Sequence, residues 1–190
     1  MLPQTNGPWD RRAFELLPQL HRNAHLKHAA EVFFLEKTYW SPHAVNADGQ
    51  TLLATAVKQM ASQRDSRVEE AVVKMLDRGA DPNQESALLM GSGETVFFTP
   101  VELLLKLFSP HFSTGGRDEL EMPVVKALLR AAVDWERPAH QQALLEFFSR
   151  LPEGEKLKGG AVLLVSHWKQ AQLNSQLPPP ASASKPSPRF

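Results

Sequence analysis

Residues 68–83 read VEEAVVKMLDRGADPN, and their order of apolar and charged side chains decides the fold. Val68, Val72, Val73 and Leu76 recur at three- and four-residue steps, the spacing that gathers side chains on one face of an α-helix. Glu69, Glu70, Lys74, Asp77 and Arg78 take the other side. Gly79 ends the helix, because a residue without a Cβ accepts the left-handed backbone of a helix C-terminus at little cost. Asp81-Pro82-Asn83 then turns the chain away.

Upstream, residues 46–57 read NADGQTLLATAV, with Gly49 in a turn and Thr51 supplying a capping hydroxyl at a helix start. A second copy opens at Thr99-Pro100-Val101-Glu102 and closes with Val124, Val125, Leu128, Leu129 and Asp134. Proline suits the first helical position, where its missing N–H would have had no partner. Ala132 stands where the first copy has glycine, and Trp135-Glu136 replaces the tail.

In that order the two copies resemble ankyrin repeats, whose opening and closing halves follow "D..G.TPLH.AA" and "VV..LL..GAD.N". Leu52 replaces the family's proline, Ala54 its histidine, and Asn46 its aspartate. The resemblance implies an all-α, ankyrin-like helical-hairpin solenoid with short β-hairpin or loop fingers. It also implies a non-catalytic module that binds a partner protein on its concave face, as a regulator or a bacterial effector, with no cofactor. Carried over by position, the partner-facing residues are Asp48 and Gln50 in the first turn, Lys58 and Gln59 on the first helix, and Arg78. In the second copy they are Thr95, Phe98 and Lys106, with Trp135 at the repeat end. Phe97 and Phe98 lie side by side in the link, so at least one is expected to be packed or to anchor a contact.

Spacing departs from the family. Thr51 to Gly79 is 28 residues and Thr99 to Ala132 is 33, against about 21 in a repeat of roughly 33 residues. Extra residues are expected between the two helices of each copy, around residues 60–67 and 109–122. The long link at 84–98 holds Gly91-Ser92-Gly93. An enzyme or regulatory subunit that uses these inserted loops as an active or ligand site is the alternative reading, with His111 and Asp118 as its acid–base candidates.

Outside the copies, residues 8–20 and 24–39 read as a helical pair and residues 141–151 and 161–173 as another. Such pairs can cap a repeat stack. The expected organisation is a disordered lead at 1–7 and one repeat domain over 8–176, divided at 45, 83 and 136. A Pro/Ser-rich tail at 177–190 cannot build a core.

Composition narrows the chemistry. The chain has 190 residues, 21 Lys plus Arg against 21 Asp plus Glu, and no cysteine. Balanced charge argues against nucleic acid or an anionic membrane as partner. The lack of cysteine removes disulfides and thiolate chemistry. With neither a signal-peptide pattern at the start nor a spanning apolar run, a cytoplasmic location is expected, or delivery into a host cell for an effector.

His21, His25 and His28 stand at helical spacing that would align three imidazoles, but ligands from a single element make a poor tetrahedral site. Gly91-Ser92-Gly93-Glu94-Thr95 lacks the lysine and preceding strand of a phosphate loop. Residues 185–189, KPSPR, have the form of a kinase site or docking peptide, set against a plain solvated tail.

Overall fold

The computed structural model describes residues 7–21, 25–37, 39–63, 65–89, 95–107, 123–151, 153 and 161–176. Among them are eight α-helices and one two-stranded sheet, so the protein is mostly helical. Residues 91–94 of the inserted glycine-containing link, the 109–122 insertion with His111 and Asp118, and the tail from 177 lie outside the described residues.

Helix α1 spans Pro8–Leu16 and passes into a 3-10 turn over Leu17–Leu20. Pro18 explains the change, since a proline cannot donate the next α-helical hydrogen bond. A helix over 24–39 was expected; instead α2 is short, Lys27–Glu31, and a π-helical turn covers Val32–Glu36. The wider turn lets Phe33 and Phe34 both reach the core, with rings at 5.2 Å in a T-shaped pair. It leaves the Phe33 carbonyl to accept the Trp40 indole N–H at 3.2 Å.

Helix α3 spans Leu52–Gln63 and α4 spans Ser66–Asp77. Here the sequence expectation is corrected. Of the extra residues expected at 60–67, 60–63 lengthen α3, where Met60 is buried in the core, and Ser66 and Arg67 open α4. Buried Asp65 then caps α4 by accepting the Arg67 N–H at 3.0 Å. Strands β1 (Ser86–Leu89) and β2 (Thr95–Phe98) pair antiparallel, with Ser86 opposite Phe98. Helices α5 (Pro100–Leu107), α6 (Pro123–Arg130), α7 (Pro138–Arg150) and α8 (Ala161–Gln176) complete the order. Helix α7 starts three residues earlier than expected, with Pro138 in its first turn.

The helices lie in two rows. Helix α3 packs on α5 and α5 on α7; the 32–36 turn packs on α4, α4 on α6 and α6 on α8. Cross-row packing joins α3 to α4 and α7 to α8. One core cluster runs from Ala13 to Leu164 and draws on every helix, with α2 and α8 contributing one buried residue each, Ala30 and Leu164. Leu53, Ala56, Val72, Leu76, Val101, Leu104, Val125 and Leu128 are buried in it as expected, with Val73 and Leu129 packed at its edge.

Candidate functional site

Three turns stand side by side at the helix starts. In the first, the Asn46 side-chain oxygen accepts the N–H groups of Asp48 (3.0 Å) and Gln50 (2.8 Å), and Gly49 takes φ +78°. In the second, the Asp81 carboxylate accepts the Asn83 N–H at 2.8 Å; in the third, the Asp134 carboxylate accepts the Glu136 N–H at 3.1 Å. Short acceptor side chains bonding two residues ahead are what fix such turns.

Side chains tie each turn to the next. Thr51 and Ser86 hydroxyls meet at 2.9 Å, and the Thr51 N–H donates to Ser86 at 3.1 Å. Asn83 reaches across to the third turn, donating to the Ala132 carbonyl at 2.7 Å and accepting the Asp134 N–H at 2.9 Å. Arg137 donates to the Asn83 carbonyl at 3.2 Å and pairs with Glu85. The result is a row of turns and one hairpin with exposed Asp48, Glu85, Asp134, Glu136, Thr95 and Phe97.

The row separates the expected partner-facing residues into two groups. Asp48 and Lys58 are exposed, as is Thr95. Gln50 is half-buried, with its amide oxygen accepting from Asn46 at 3.2 Å. Gln59 and Arg78 point inward. Gln59 is buried and donates to the Leu17 carbonyl at 2.9 Å. Arg78 lies 3.9 Å from the centre of the Trp40 ring and donates to the Trp40 carbonyl at 2.9 Å. Both tie the second helix pair to the first.

Strand alternation sends successive side chains to opposite faces, so Phe98 packs against the core and Phe97 is 63% exposed. Half-buried Lys106 places its ammonium 5.0 Å from the Phe98 ring. Trp135, partly buried, stacks on His167 of α8 at 4.8 Å, and burial pushes the His167 pKa down.

The single helical face of His21, His25 and His28 is not formed. His21 has extended backbone after the 3-10 turn, His25 is in a turn, and α2 starts only at Lys27. Among the described residues no group of three His, Asp or Glu is placed to hold a metal ion.

Sequence reasoning missed Asn83, Arg137 and His140. His140 is 0% exposed, 2.9 Å from the Thr99 hydroxyl and 2.6 Å from the Asp134 carbonyl. Thr99 and Glu102 form a reciprocal capping box, with Thr99 N–H to Glu102 at 2.8 Å and Glu102 N–H to Thr99 at 3.2 Å. The available signal was Arg137-Pro138-Ala139-His140, which repeats the Thr99-Pro100 opening one unit later.

No family model, curated protein or solved structure matches the chain.

Proposed function

We propose that this chain is a non-catalytic binding module, an ankyrin-like stack that grips a partner protein along its row of turns and the exposed flank of α3. The observation that carries the reading is the side-chain bridging of successive turns by Thr51–Ser86 and Asn83–Asp134. A surface held in that way is ordered before a partner arrives, which lowers the entropic cost of association. Phe97 supports it further, as a large exposed aromatic beside polar turn residues is the residue type in which interface energy concentrates. The Thr99–His140 pair has the spacing of a nucleophile and its base, yet both residues are 0% exposed, so no substrate faces it.

The test is substitution with a partner isolated from the native host. Phe97→Ala, Lys58→Ala and Asp48→Ala should weaken binding while leaving the unfolding midpoint in place, and Phe97→Ala should cost more than about 2 kcal/mol. Gln59→Ala and Arg78→Ala should act on folding instead. Unchanged binding in the first three, with loss on substitution of exposed Glu70, Lys74 and Asp77 on α4, overturns the reading.

A further inference from the structure

Two of the three exposed Phe, Tyr or Trp rings among the described residues stand together on the first helical unit. Trp9, in the first turn of α1, is 51% exposed, and Tyr39, three residues beyond the 32–36 turn, is 60% exposed. Their ring centres are 5.2 Å apart with 30° between the planes, and the buried Phe33 ring lies 6.5 Å from Trp9. Asp10 fixes the pair. One carboxylate oxygen accepts the Gly7 N–H at 3.1 Å and the other accepts the Ser41 N–H at 2.7 Å. The start of α1 is thereby tied to the segment that carries Tyr39.

Large rings left bare side by side mark an interaction surface. Adjacent aromatic rings held in place are what proline-rich segments dock against, because a run of prolines favours one extended helix and loses little entropy on binding. The chain contains such a run, Leu177-Pro178-Pro179-Pro180, immediately after α8 ends at Gln176. The prolines at 185–189 are interleaved with Lys185, Ser187 and Arg189, so that stretch offers the rings less apolar surface.

Reach decides which copy supplies the segment. Helix α8 packs on α6, α6 on α4, and α4 on the 32–36 turn, so three helix spacings of about 8–10 Å each separate α8 from the two rings. Pro180 is four residues past Gln176, a span of about 14 Å even at full extension. The proline run falls well short of the rings in its own chain. We propose that Trp9 and Tyr39 form a docking platform for Leu177–Pro180 of a second copy, which joins the last helical unit of one chain to the first unit of the next. Each side of such a head-to-tail contact uses a different surface, so the assembly is open and grows with concentration. The platform lies at the end of the stack, and the inference stands whether or not the row of turns binds a partner.

Mixing two full-length variants tests it. Trp9→Ala keeps the proline run and removes the platform, whereas Pro178→Ala, Pro179→Ala and Pro180→Ala made together keep the platform and remove the run. In sedimentation at concentrations up to about 1 mM, the weak end of specific binding, wild type should grow past the dimer. Each variant alone should stay monomeric, and an equimolar mixture should give a dimer and nothing larger. A monomeric wild type, a monomeric mixture, or a proline variant that assembles like wild type overturns the inference. Should Trp9→Ala not fold, a peptide of residues 176–190 added to the proline variant gives the same decision. Its binding should shift the NMR signals of Trp9 and Tyr39, and Tyr39→Ala should weaken it at least tenfold. Unmoved ring signals contradict the proposal, as does binding that depends on Pro186 and Pro188 instead of the run at 178–180.

Discussion

Helices α4 and α6 end at equivalent places by different means. After α4, Gly79 takes φ +85°, its N–H donates to Leu76 at 2.9 Å, and the Ala80 N–H donates to Met75 at 2.9 Å. This is the paired closure that glycine permits. After α6, Ala132 occupies the glycine position. There the Val133 N–H turns back to the Ala131 carbonyl at 2.8 Å, and Asn83 of the preceding unit takes the Ala132 carbonyl at 2.7 Å. One end closes within its own helix, the other by borrowing a side chain from its neighbour. The second unit is therefore built to depend on the first.

That difference can be broken at several strengths. The largest effect is expected in the shared core, where Met75 and Leu128 are both buried. Leu128→Ala should cost about 2–5 kcal/mol in urea unfolding, and a cost below about 1 kcal/mol would place the residue outside the core. Next comes Asn83→Ala, which removes both bonds to the third turn. At about 0.5–1.5 kcal/mol per bond, its hydrogen-exchange signature should fall on residues 131–140 and spare α4; equal loss in both would remove the asymmetry. Gly79→Ala forces a Cβ into left-handed backbone and should cost about 1–2 kcal/mol, although no atom lies within 4 Å of the added carbon. Ala132→Gly should not stabilise the protein, and a clear gain would mean that α6 also wants a glycine closure.

These two ends also explain what was legible in the sequence. Gly49 and Gly79 announce their backbone locally, and both have positive φ. The 3.6-residue periodicity of α4 and α6 locates the seam. The Asn83 and His140 bonds join residues 41 to 51 positions apart, which no local pattern encodes. The lengthened α3 was hidden for another reason, since family spacing assigns extra residues to loops while Met60 continues the helical face into the core. In β2, alternation alone could have chosen Phe97 over Phe98 as the outward residue, had the link been read as a strand.

The smallest effect belongs to His167. Burial holds its folded pKa below the unfolded value, so the folded chain binds fewer protons there. The stability it contributes is present above about pH 6.5 and is lost as pH falls through the folded value. His167→Gln should remove that acid-side loss, and urea unfolding at pH 5.5 and 8 checks it. An acid-side loss that the variant leaves in full would sink the assignment.

The central claim, partner binding along bridged turns, is tested most directly by hydrogen exchange on the chain with and without a partner captured from its native host. The account predicts new protection at residues 46–50, 81–86, 95–98 and 132–137, reduced throughout by Phe97→Ala. Protection confined to the outer face of α4, around Glu70, Lys74 and Asp77, would contradict it.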